Sequence, residues 1–175
     1  KGEKIGLVGV NGSGKSTLLH CLLQNGYSDS GSVRFEAGTR VGYVEQGFGN
    51  IGSGSLWQFM MNSCPEIPEM RSRLQKLEAQ AADLKPGEEL DKVLDEYASV
   101  TRRYEYIDGY NYETRIKIVL NGLGFTEEVW DKPAQNFSGG QKTRILLAAA
   151  LVKSPDFLIL DEPTNHLDIR MTEWL

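Results

Sequence analysis

The sequence predicts an α/β fold: a mainly parallel sheet, a short antiparallel β portion, and an inserted helical subdomain with an antiparallel helical hairpin. Three observations carry this. Short apolar strands alternate with helical runs, as at Ile5 to Gly9 and Phe157 to Leu160. A glycine-rich loop follows the first strand and opens a helix. From Met70 to Tyr104 the apolar positions recur in steps of four and three.

Taken in order, Ile5, Leu7 and Val8 make a short buried-type strand, and a helix runs from Gly14 to Gln24. Val33 to Phe35 and Arg40 to Gln46 read as two strands of a hairpin around the turn Ala37-Gly38-Thr39. Gly47 to Ser55 is a glycine-rich loop, and Leu56 to Met61 is helical, stopping near Pro65 and Pro68.

Met70, Leu74, Leu77, Ala81 and Leu84 then form one seam. After the break Lys85-Pro86-Gly87, Leu90, Leu94, Tyr97, Thr101 and Tyr104 form a second. Two such seams joined by a tight turn make an antiparallel hairpin. The stripe is narrow and the polar faces wide, which favours a projecting hairpin over two helices lying flat on the core.

Asn111 to Leu120 is a further helix, closed by Gly122, and Thr126 caps a short turn from Glu127. Gln141 to Val152 is a strongly apolar helix ended by Ser154-Pro155, and Phe157 to Leu160 is a buried-type strand with Asp161 at its tip.

Composition bounds the function. With 175 residues, 40% of them apolar, the chain can build one domain with a real core. Nineteen basic against 24 acidic residues give a net charge of −5, which excludes binding to nucleic acid by bulk charge. No apolar run reaches the ~20 residues a membrane helix needs. The start Lys1-Gly2-Glu3-Lys4 is not a signal peptide. Cys21 and Cys64 stand far apart without metal spacing and read as reduced thiols, which points to a cytoplasmic protein. A strand starting almost at once and a final helix without a closing signal suggest a piece of a longer chain.

Three motifs carry chemistry. Gly9-Val10-Asn11-Gly12-Ser13-Gly14-Lys15-Ser16 fits G-x-x-x-x-G-K-[ST] between a strand and a helix, the signature of a P-loop NTPase core. Its glycines let successive N–H groups face phosphate oxygens, and the helix start behind them adds partial positive charge. Lys15 is placed to reach the β- and γ-phosphates, and Ser16 to hold Mg²⁺. In Phe157-Leu158-Ile159-Leu160-Asp161-Glu162, Asp161 emerges at a strand tip to hold the Mg²⁺, and Glu162 is placed to orient or deprotonate the attacking water. Ser138-Gly139-Gly140-Gln141 at a helix start is an anion site; alone it would be an ordinary serine cap.

Together these residues resemble the ATP-binding cassette ATPases. Gly9 to Thr17 looks like the Walker A motif, Gln46 the Q-loop glutamine, and Ser138 to Gln141 the signature motif. Phe157 to Glu162 resembles Walker B, and Asn165-His166-Leu167-Asp168 the D-loop. The segments Asp161 to Asp168 and Ser138 to Arg144 are similar to the F subfamily, whose members carry two cassettes on one chain, no membrane domains, and in several cases ribosome-linked roles in translation or antibiotic resistance.

The resemblance implies a first cassette with ATP and Mg²⁺ as cofactors, Gln46 beside Ser16 and Asp161 at the metal, and Lys15, Gln46 and Glu162 in catalysis. Ser138 would serve a nucleotide held by a second cassette of the same full-length chain. The resemblance also implies a nucleotide-binding domain over 1–67 and 111–175, with 111–152 as its helical signature region, and an inserted arm over 68–110. The aromatic that stacks on adenine would lie before Lys1 and the switch histidine beyond Leu175, so this segment alone should hydrolyse ATP poorly. Between Met70 and Ile107 acidic residues outnumber basic ones, so a ribosomal partner rests on resemblance and not on charge. DNA is not implied. The alternative is the ATP-binding subunit of a membrane transporter.

Overall fold

The computed structural model describes residues 2–23, 29–44, 51–163 and 169–174, without the side chains of 169 and 170. In chain order these form α1 (Lys15–Leu22), β1 (Val41–Val44), α2 (Leu56–Met61), α3 (Glu66–Asp83), α4 (Glu88–Tyr106), α5 (Tyr112–Gly122), α6 (Gly139–Val152), β2 (Phe157–Leu160) and α7 (Ile169–Trp174).

The sheet is parallel. β1 pairs with β2 in the register Val41↔Phe157 to Val44↔Leu160. Two apolar strands far apart in sequence meet, and the helices between them form the crossover. The ladder is fixed at its start, where Asp156 N donates to Arg40 O at 2.8 Å and Arg40 N to the Asp156 carboxylate at 3.1 Å. At its end Asp161 N donates to Val44 O at 3.2 Å.

Two predicted features come out differently. Ile5 to Gly9 is not a strand: Ile5 is 81% and Val8 93% exposed. A strand exists by its partner, and among the described residues β1 and β2 pair only with each other. The predicted hairpin keeps its turn, with Thr39 N donating to Glu36 O at 3.1 Å, but Val33 to Phe35 forms no strand. Parallel pairing with β2 takes β1 instead, because it buries Val44 and Ile159 together.

The core lies under the helices. Leu56 and Met60 of α2, Ile116 and Leu120 of α5, and Ile145, Ala148 and Val152 of α6 are fully buried in one cluster with Phe125 and Phe137. α2 starts with a capping box, Ser55 and Gln58 each bonding the other's backbone N–H. Its far end is held by Tyr112, whose hydroxyl donates to Met60 O at 2.7 Å and accepts from Cys64 N at 3.1 Å. Burial raises both the Tyr112 phenol and the Cys64 thiol above their ordinary values.

α5 runs to Gly122, two residues past its predicted end at Leu120, and the glycine that closes it is Gly124. Phe125 N donates to Leu120 O at 2.9 Å and Gly124 N to Asn121 O at 3.0 Å, with Gly124 at φ +78°. This is a Schellman motif with Gly124 in the left-handed position that a β-carbon disfavours. Gly122 serves packing instead: a Cβ there would overlap the Trp174 ring of α7. The turn from Glu127 forms as expected, but Thr126 contributes its carbonyl and not its side chain.

α3 and α4 make the expected antiparallel pair. Leu74, Leu77 and Tyr104 are buried along it, and Arg73 Nε donates to Glu96 at 2.8 Å across it. Leu94, a predicted seam position, is 48% exposed, while Val93 and Val100 turn inward. The helix period of 3.6 drifts off a strict 3.5 seam along four turns. The base of the pair is joined to α5 by Arg71, which donates to Glu113 at 2.7 Å and to the Tyr104 hydroxyl at 3.2 Å.

Candidate functional site

The loop Gly9 to Gly14 forms a tight arch. Ser13 N donates to Val10 O at 3.2 Å, and Gly12 and Gly14 take φ +81° and +87°. Gly14 is the N-cap of α1, and no side chain caps that helix start. The free N–H groups of the first turn therefore remain available to an external acceptor. Lys15 Nζ reaches back across the arch, donating to Gly9 O at 2.9 Å and Val10 O at 3.1 Å. A Cβ on Gly9 would come within 2.8 Å of Ser13 Oγ, so the arch closes this tightly only around glycine. Amides, an ammonium and a helix start converge here, a donor set that suits a polyphosphate.

α1 rests on β1 through His20, whose ring meets Tyr43 edge-on at 5.9 Å. That gives His20 a packing role.

At the other strand tip, Asp161 follows Leu160 directly, and Glu162 turns the chain with φ +50°. A non-glycine residue in the left-handed region costs conformational energy, and such costs concentrate at functional sites. Both side chains are half-buried. The parallel register sets the ends of β1 and β2 side by side. Ligands gather at the carboxyl edge of such sheets. Gln46 and the D-loop from Asn165 to Asp168 lie outside the described residues.

The donor set Ser16 plus Asp161 fits Mg²⁺, which takes one or two carboxylates and leaves its other positions to phosphates and water.

Ser138 to Gln141 behaves differently. Ser138 Oγ accepts from Gln141 N at 3.4 Å, and Gln141 Oε1 accepts from Ser138 N at 2.9 Å, a complete capping box at the start of α6. Ser138 and Gln141 thus satisfy each other, and the remaining first-turn amides of Gly139 and Gly140 complete the helix start.

Two features escaped sequence reading. The Ser55–Gln58 capping box was legible as Ser-x-x-Gln before an apolar run. Arg144, which with Lys142 puts charge inside the apolar helix from Gln141 to Val152, was visible as an anomaly, but its partners come from two other segments.

The family pattern described as ABC transporter matches residues 1–165. The tylosin resistance ATP-binding protein TlrC of Streptomyces fradiae is 38% identical over 99% of this chain and 32% of its own length. ABC transporter F family member 5 of Arabidopsis thaliana is 35% identical over the whole chain and 26% of its own length. The energy-dependent translational throttle protein EttA of Haemophilus influenzae is 32% identical over 99% of the chain and 31% of its own length. The chain thus spans a quarter to a third of these curated relatives. Among solved structures, the ATP-binding subunit of an ABC transporter overlays with a TM-score of 0.59 at 18% identity, covering 95% of this chain and 57% of that one. That likeness speaks to the fold alone. Among the described residues no helix is long and apolar enough to cross a membrane. The chain belongs to the ABC transporter family as an ATP-binding cassette, and its full-span relatives are F-family proteins.

Proposed function

We propose that this cassette binds Mg–ATP on its own P-loop and hydrolyses it together with a second cassette of the same full-length chain, in a cytoplasmic protein that works on the ribosome. The observation that carries the nucleotide reading is the uncapped start of α1 under an arch of left-handed glycines.

The amides around Gly12 to Thr17 donate to the phosphate oxygens. The Lys15 ammonium exchanges the carbonyls of Gly9 and Val10 for the β- and γ-phosphates. Ser16, Asp161 and Gln46 would hold the Mg²⁺, which when bound would neutralise charge on the phosphates. Glu162, held by the turn after β2, takes the proton of the attacking water. The Ser138 hydroxyl and the first amides of α6 present themselves to the nucleotide of the other cassette, and Asp168 serves the same junction. Residues 1–67 and 111–175 are the nucleotide-binding unit, and 68–110 the arm that carries its closure outward. The segment by itself, lacking the second half of each composite site, turns over slowly.

The ribosomal role draws on the relatives' names: one is called a translational throttle and one an antibiotic resistance protein. The transporter-subunit alternative has only fold-level likeness behind it.

A Glu162→Gln variant of the full-length protein tests the reading. It should retain ATP, lose about 10²-fold or more in turnover, and co-sediment with ribosomes when ATP is present. Recovery with a polytopic membrane protein and not with ribosomes would favour the transporter subunit. Unchanged turnover would remove Glu162 from the chemistry.

A further inference from the structure

Arg144 has no part in the site above, yet it sits where α6, the end of α5 and α7 meet. It projects from α6, half-buried. Nη1 donates to Leu123 O, the end of α5, at 3.2 Å and to Met171 Sδ of α7 at 3.4 Å. Its guanidinium carbon stands 5.3 Å from the centre of the Phe125 ring. Phe125 in turn meets Phe137 edge to face, at 5.6 Å and 83°. Phe137 is buried and extended, and the next residue is Ser138, the N-cap of α6.

The chemistry at each contact suits a guanidinium. A planar cation can stack on a ring and still aim N–H groups at a carbonyl and a sulfur in its own plane. An ammonium is a point charge and cannot do both. The Schellman end of α5 delivers Leu123 O and Phe125 to the same place, with Gly124 so close that a Cβ would stand 2.8 Å from the Met171 methyl.

We propose that Arg144 is a positioning residue for the signature loop. It clamps Phe125, and through the Phe125–Phe137 pair it fixes the angle at which the chain enters Ser138. The hydroxyl and first amides of α6 are thereby held in one orientation. Through Met171 the same clamp ties α7 to that loop, so the two elements move as one body. This rests on Ser138 serving a nucleotide, as proposed above.

The test compares Arg144→Lys, Ser138→Ala and the core variant Val119→Ala in the full-length protein. It measures kcat and KM for ATP and hydrogen exchange at the amides of 137–141. Arg144→Lys should lower kcat about tenfold with KM within about threefold, a pattern of lost positioning and not of lost binding. Exchange at 139–141 should quicken about tenfold while the amides of α1 keep their rates. Val119→Ala, which loosens the same core by shortening a buried side chain, should leave kcat in place. Wild-type kcat and exchange in Arg144→Lys, with Ser138→Ala inactive, would overturn the proposal and leave the nucleotide role of Ser138 standing. An equal kcat loss in Val119→Ala would also overturn it, reducing Arg144 to a structural contact. Faster exchange in Arg144→Lys alongside full turnover in Ser138→Ala would support the clamp and sink the reading of Ser138.

Discussion

α1 and α6 both begin at a glycine-rich loop, both follow a motif that reads as an anion site, and they are built in opposite ways. The start of α1 has a left-handed glycine as its cap and no side-chain acceptor for its first amides. None of its residues is buried, and Val8 and Val10 before it are 93% and 80% exposed. The start of α6 is closed by a reciprocal Ser138–Gln141 box, and the helix behind it buries Ile145, Leu147, Ala148, Ala150 and Val152. One loop is open to a ligand and lightly supported. The other is satisfied within the chain and rooted in the core. A phosphate can stabilise the first by supplying the missing acceptor, whereas it must compete with an existing cap at the second. The contrast matches a cassette that grips its own nucleotide at α1 and offers α6, preorganised, to another.

That contrast can be broken most sharply by trimming both helices. Ile145→Ala should destabilise by about 2–5 kcal/mol, as a fully buried side chain does when it leaves a cavity. Leu18→Ala, at 48% exposure on α1, should stay within about 0.5 kcal/mol. Urea unfolding of the two variants measures this directly, and equal losses would mean that α1 is part of the core after all.

Lys15→Ala should leave unfolding nearly unchanged, because its two hydrogen bonds are made at the surface of the arch. It should weaken ATP binding by about 100-fold, the loss of one charge-assisted contact to phosphate. Titration with a fluorescent nucleotide decides it; an unaltered affinity would refute the reading of the arch.

Ser138→Ala should do the reverse, with a cost of about 1 kcal/mol in stability from the lost cap. ATP affinity at the P-loop of the same cassette should hold, while turnover of the full-length protein falls. A drop in that local affinity would place both loops at a single nucleotide.

The smallest effect expected is at high pH. Tyr112 is held protonated beyond the ordinary phenol value of 10.0, first by burial and then by the neighbouring Cys64. A group whose folded value is raised stabilises the fold fully below its unfolded value, and that stability is lost as pH climbs toward the folded value. The melting temperature should therefore fall gradually above about pH 10. In a spectroscopic titration Tyr112 should ionise above the ordinary phenol value of 10.0. Ionisation of Tyr112 at that ordinary value would show the α2–α5 junction to be open to solvent.

Much of this was legible in the sequence because its causes are local. The α3–α4 hairpin follows from apolar periodicity and a Pro-Gly break, α6 from an apolar run behind Ser138, and β2 from four apolar residues ending at Asp161. The P-loop was readable because glycine spacing alone dictates its backbone. Other features were decided by distant partners. β1 could have paired with its neighbour across the Gly38 turn; it pairs with a strand more than a hundred residues on, which offers more burial. Ile5 to Gly9 has strand composition and no ladder, since composition cannot supply a partner. The closing glycine of α5 shifted from Gly122 to Gly124, because Trp174 of α7 needs the bare surface at Gly122.

The sequence by itself determined which residues are proposed to hold a phosphate, a metal and a proton, since those roles belong to residue types at short spacings. Only the tertiary structure decided that β1 pairs with β2 and that Arg144 joins α5, α6 and α7. Contacts among segments distant along the chain depend on packing in three dimensions, which no local pattern encodes.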